Sequence, residues 1–96
     1  MPEMEPISPG EILVEEYMRP YGLSQNAVAA AIGVDPMRIS QIVRGTRAIS
    51  ADTALRLSRL FGTSDLFWLN LQDRYEIERL HDTMGPVLER IEPVRT

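Results

Sequence analysis

The stretch Ser24–Gly45, SQNAVAAAIGVDPMRISQIVRG, constrains the fold more than any other part of the chain. It reads as two short helices joined at Gly33. Ser24 can cap the first, because its hydroxyl can accept a backbone N–H that the opening helical turn leaves free. Asp35 can cap the second, and Pro36 then takes the first helical position, where a missing N–H costs nothing. Glycine at 33 permits the positive φ that reverses the chain sharply. The apolar spacing agrees. Val28, Ala29 and Ile32 share one face of the first helix, and Ile39, Ile42 and Val43 one face of the second. Ala29 is small, so the two helices can cross closely. Met37, Arg38, Gln41 and Arg44 are then turned outward. This arrangement is a helix-turn-helix, a unit whose second helix lies in the major groove of DNA.

The flanking sequence supplies further helices. Ser8-Pro9-Gly10-Glu11 reads as a capping box with proline at the first helical position, opening a helix that runs to about Met18. Its Leu13 and Tyr17 face the core, whereas Glu11, Glu15 and Glu16 stay wet. Pro20 and Gly22 end it, and Leu23 can act as a hydrophobic staple before Ser24. Gly45 closes the helix before it as a C′ residue. Ser50 caps a fourth helix, Ala51 to Phe61, with Ala54, Leu57 and Phe61 inward. A fifth helix is expected from about Asp65 to Thr83, capped by Thr63 or Ser64 and stopped by Gly85-Pro86. Its opening, LFWLNL, is apolar on nearly all sides and needs cover on more than one. In a chain of 96 residues, that second cover is expected to be another chain. The expected organisation is a flexible lead-in over 1–7, a domain over 8–83 and a weakly ordered tail over 84–96.

The charge distribution matters more than the net charge of −4. Residues 1–23 hold five acids and one arginine; residues 60–96 hold seven acids and four arginines. Residues 24–59 hold two acids and five arginines, so the helix-turn-helix and the segment after it are locally positive. A positive face, more than a basic total, is what DNA binding needs. No lysine occurs, so every fixed positive side chain is a guanidinium. Cysteine is absent, which excludes disulfides and thiolate metal sites. His81 is the only histidine, so no transition-metal site is expected. There is no Gly-rich phosphate loop and no catalytic triad; neither an enzyme nor a cofactor is expected. No apolar run approaches the ~20 residues needed to span a bilayer. The acidic start lacks a signal-peptide pattern, which makes the cytoplasm the expected location.

Three stretches resemble one family. SPGEILVEEYMRPYGLSQ resembles its opening helix and first turn, AAIGVDPMRISQIVRGTRAISADTALRLSRLFGTS its helix-turn-helix and fourth helix, and DLFWLNLQDRYEIE its aromatic segment. The chain thus resembles a HigA/VapI-type antitoxin of the lambda-repressor-like (Xre) helix-turn-helix group, over roughly residues 8 to 80. The resemblance implies an all-α, lambda-repressor-like DNA-binding domain of five helices with a C-terminal dimerisation helix. It implies a homodimer that binds a palindromic operator in its own operon, and a small basic ribonuclease toxin of the HigB (RelE-like) type as protein partner. Carried over by position, Pro36, Met37 and Gln41 match recognition-helix positions that face base edges, with Arg38 beside them; Met37, Arg38 and Gln41 are expected to contact bases and Pro36 a phosphate. Gln25 touches backbone phosphate, and Arg44, Thr46 and Arg47 lie in or beside the loop that grips it. Asp35 departs from the Ser or Thr common in such motifs and can cap the helix or accept from cytosine N4.

Each of these residues also has a plainer reading. Arg38 and Gln41 can be a solvated helix face, and Met37 can touch a thymine methyl or cover the turn. Arg56 and Arg59 read as partners of local carboxylates or surface residues. Phe67, Trp68, Leu71 and Tyr75 read as core and dimer seam. Two other functions fit the same sequence: a stand-alone Xre-type repressor without a toxin, or an acidic dimer that binds a toxin and not DNA.

Overall fold

The computed structural model describes residues 6–94. Expectations for 1–5 and for 95 and 96 fall outside the described residues. Five α-helical segments follow in order: α1 (Pro9–Ile12), α2 (Gln25–Ile32), α3 (Pro36–Arg44), α4 (Ala51–Phe61) and α5 (Phe67–Glu89). Between α1 and α2 the chain continues as a π-wound turn, Leu13–Met18. Its wider winding is marked by the Arg19 N–H donating to the Val14 carbonyl at 2.9 Å. That winding puts Met18, beside the expected Leu13 and Tyr17, into the core.

The expected caps form. Ser8, Ser24 and Ser50 each accept the backbone N–H three residues on, and Asp35 accepts that of Met37 at 2.7 Å. Gly33 stands at φ 75°, the left-handed region that a Cβ disfavours, and turns α2 into α3. The core gathers Leu13, Val28, Ala29, Ile39, Ile42, Ala54, Leu57 and Trp68. α1 packs on α3 and α5, α2 on α3 and α4, and α4 on α5. Gly10 makes the α1–α3 crossing possible: a Cβ there would lie 2.3 Å from the Ile42 carbonyl oxygen. The sequence pattern alone does not reveal this contact.

α5 departs from expectation at both ends. It begins at Phe67, two residues late, with Leu66 at the cap position and no side-chain cap. Neither the Thr63 nor the Ser64 hydroxyl caps it. The Ser64 carbonyl serves instead, accepting from Phe67 N–H at 3.2 Å and from the buried Ser58 hydroxyl at 2.8 Å. At the far end the helix runs through Gly85-Pro86 to Glu89. Proline forfeits one intrahelical bond, to the carbonyl four residues earlier. On this exposed stretch water can satisfy that carbonyl, so the helix is not forced to stop. The expected tail is therefore partly helical. The radius of gyration is 16.2 Å, above the ~13 Å of a compact chain of about this length, in keeping with an α5 that reaches beyond the core.

Trp68 is 0% exposed within its own chain. Tyr17 and Phe67 pack against it with ring centroids at 5.1 Å, and Phe61 at 6.2 Å. It therefore belongs to the core and has no surface left for a dimer seam. Phe67 and Leu71 are half-buried against the same core. Among the described residues no helix is long and apolar enough to cross a membrane, and no group of side chains could hold a metal ion.

Candidate nucleic-acid interface

α3 owes its orientation to its buried face. Ile39 and Ile42 are at most 2% exposed, and Val43 is half-buried beside them. Helical periodicity then forces the other edge outward. Met37 is 61% exposed, and Pro36 and Arg44 are exposed as well. Gln25 opens α2, half-buried beside its Ser24 cap. Asp35 is occupied as a cap, at the N-terminus of α3.

Two of the expected base readers are less free than their spacing implies. Arg38 does not project straight out. Its Nη1 donates to Asp52 Oδ1 and Thr53 Oγ1, both at 3.3 Å, and its side chain is only 29% exposed. The reason is α4, which passes beside α3 and offers a carboxylate at its first turn. Asp52 also accepts from Arg56 Nε at 2.8 Å, and Arg56 Nη1 donates to the Ile32 carbonyl at 2.6 Å. This chain of bonds ties the end of α2, the outward edge of α3 and the start of α4 together. Each exposed ion pair contributes little, about 0–1 kcal/mol, so Arg38 can exchange Asp52 for another acceptor at low cost. The reading of Arg56 as a local carboxylate partner agrees with this geometry.

Gln41 is half-buried, and its Oε1 accepts from Arg47 Nη1 at 3.2 Å. Its Nε2 is left to donate outward. Thr46 folds back on the same residue: its N–H and hydroxyl donate to the Gln41 carbonyl at 2.9 and 3.3 Å. The loop after α3 is thus laced to the outward edge of that helix. Thr46, Arg47 and Ala48 are all exposed on it. Among the described residues neither Arg44 nor Arg47 pairs with a carboxylate. The structure therefore brings Met37, Gln41, Arg44, Thr46 and Arg47 to one continuous edge, with Arg38 held at its border and Gln25 on the neighbouring helix.

One participant had no sequence signal that local pattern could carry. Gln72 of α5 pairs its carboxamide with both backbone groups of Ile49: Nε2 donates to the carbonyl at 2.8 Å, and Oε1 accepts the N–H. This holds the rear of the loop against α5 across 23 residues of sequence.

The chain is similar in sequence and fold to known helix-turn-helix proteins. A helix-turn-helix family model matches residues 14–69. Virulence-associated protein I of Dichelobacter nodosus is 55% identical over 76 residues, covering 79% of this chain and 70% of that protein. The antitoxin HigA of Pseudomonas aeruginosa, solved with the higBA promoter, superposes with a TM-score of 0.87 at 42% identity. That match covers 94% of this chain and 99% of the other. A HigA-family addiction module antidote protein of Coxiella burnetii gives 0.88 at 43% identity, over 95% and 100%. With a capped helix-turn-helix, an outward polar edge and these relatives, the chain belongs to the helix-turn-helix family as one of its HigA/VapI-type antitoxins, DNA-binding proteins rather than enzymes.

Proposed function

We propose that the protein is an autorepressing antitoxin: a homodimer that binds a palindromic operator in its own operon and neutralises a small basic HigB/RelE-like ribonuclease. The observation that carries the DNA half is the single edge formed by α3 and its loop, where Met37, Gln41, Arg44, Thr46 and Arg47 lie together. On this reading Gln41 presents an amide to adenine, and Met37 touches a thymine methyl. Arg44, Thr46 and Arg47 hold phosphates, with Gln25 and the start of α3 at Pro36 set against the same backbone. Arg38 joins Met37 and Gln41 at the base edges, as a partner for guanine, by leaving Asp52. Two such edges entering successive major grooves about 34 Å apart read the two half-sites. The HigA structure solved with a promoter supports this reading.

The second copy is assigned to α5. Phe67, Leu71 and Tyr75 contribute what their half-buried rings and side chains leave open. The larger apolar surface lies further along. Ile77 is 57% exposed, Leu80 51% and Val87 48%, and half-buried Met84 falls between them. Positions 77, 80, 84 and 87 alternate in steps of three and four, the spacing of a helix–helix seam. Leu80→Glu is expected to convert the dimer to a monomer in size-exclusion chromatography and light scattering while leaving the circular dichroism spectrum helical. A dimer that persisted would move the seam elsewhere.

A gel shift against the DNA upstream of the coding frame tests the central reading. Binding should weaken steeply with salt, since arginine–phosphate contacts release counterions. Gln41→Ala should bring operator and random DNA closer by about 1–3 kcal/mol, the discrimination of one bidentate pair. Unchanged discrimination would remove Gln41 from the base-reading set. Co-expression with the neighbouring short frame, followed by a pull-down, separates an antitoxin from a stand-alone repressor. An acidic toxin-binding module would pass the pull-down and fail the gel shift.

A further inference from the structure

The exposed loop after α3 has two anchors. At its front, Thr46 and Arg47 are bonded to Gln41. At its rear, Ile49 is 2% exposed and bonded through both backbone groups to the Gln72 carboxamide. The side chain stands in for the edge of a neighbouring strand. A carboxamide suits this role, since it carries a donor and an acceptor side by side. Its carrier is rigid: Gln72 lies one turn beyond Trp68, which is wholly enclosed in the core. The exposed residues at the front anchor, Thr46 and Arg47, are the ones assigned above to phosphate.

We infer that Gln72 is a positioning residue for the DNA grip, acting from α5 through Ile49 on Arg47 without touching DNA. This rests on the reading of α3 and its loop as the DNA face. A loop held at both ends meets a phosphate without first being ordered, which removes part of the entropic cost of binding. Released at the rear, Arg47 must be ordered at the moment of contact, and its phosphate bond weakens. Gln72 thereby also makes α5 a structural neighbour of the DNA loop.

The test is a double-mutant cycle on the upstream DNA with Gln72→Ala, Arg47→Ala and the pair, each titrated with salt. Gln72→Glu accompanies them; it keeps the acceptor for Ile49 N–H and removes the donor, and it serves where the alanine variant does not fold. Circular dichroism confirms that each variant is folded at the assay temperature. Gln72→Ala is expected to weaken binding about tenfold, the scale of one well-placed hydrogen bond. It should also flatten the salt dependence by about one counterion for each phosphate no longer held. In the Arg47→Ala background the same change should have less than about a twofold effect, because the side chain it positions is gone. A purely structural glutamine would give an unchanged salt slope and costs that add with Arg47→Ala; either result overturns the inference. Wild-type protein that fails to bind the DNA would instead overturn the DNA-face reading itself.

Discussion

Gly10→Ala is expected to destabilise the protein by about 3 kcal/mol, the upper end of ordinary overpacking, and to lower its Tm by roughly 10–20 °C. The new Cβ would meet the Ile42 carbonyl oxygen at 2.3 Å, the Val43 carbonyl oxygen at 2.9 Å and the Val43 Cα at 3.0 Å. All three are backbone atoms. No side chain can rotate away, so α1 and the last turn of α3 must separate. That turn leads into the loop carrying Thr46 and Arg47, so DNA binding should fall even well below the melting transition. Gly85→Ala is the matched control. Beyond its chain neighbours and its own helix backbone, nothing lies within 4 Å of a Cβ there; alanine's helix preference of roughly 1 kcal/mol is set against the crowding of that Cβ by the ring of Pro86. Its melting temperature should change far less than that of Gly10→Ala. Thermal melts of the two variants beside the wild type decide the matter, and an unchanged transition for Gly10→Ala would mean that α1 does not cross α3 at this point.

Trp68→Ala should cost about 3–5 kcal/mol, the range for emptying a large aromatic from a core. Against a total of roughly 5–15 kcal/mol for a small domain, that removes a large share of the stability margin. The ring touches Tyr17, Phe61 and Phe67, so its removal opens the junction between the π-wound turn, α4 and α5. The informative readout is the dependence on protein concentration. A core residue costs the same at every concentration, because the folded monomer itself is damaged. A seam residue would show its cost chiefly at low concentration, where the dimer dissociates. Melts over a wide concentration range should show a constant deficit for Trp68→Ala. A deficit that vanished at high concentration would restore Trp68 to the interface.

The contrast between these two sites shows what the sequence made legible. Caps and turns at Ser8, Ser24, Asp35 and Ser50, and the reversal at Gly33, depend on neighbours within a few residues, and all were readable. So was the inward face of each short helix. What escaped was set by partners far along the chain. Gly10 looked like part of a capping box; its close approach to α3 becomes visible only when the helices are packed. Arg38 looked free because Asp52 lies 14 residues away, on another helix. Gln72 looked like one polar residue in an aromatic segment. Pro86 misled in the other direction: proline disfavours a helix interior, yet one missing bond did not end a helix already under way. For the DNA edge, spacing identified the outward positions on α3, while the ties of Arg38 and Gln41 to their neighbours needed coordinates.

The π-wound turn over Leu13–Met18 acts as a length gauge. It holds the slack that lets Gly10 meet α3 while Met18 still reaches the interior. Excising one residue at exposed Glu15 or Glu16 would draw the winding toward an ordinary helix. Each residue of such a helix is worth about 100° of rotation. The glycine would then swing off the Ile42 carbonyl and bring a side chain to the crossing. An indel among wet glutamates, harmless by every surface criterion, would be felt at α3 on the far side of that crossing.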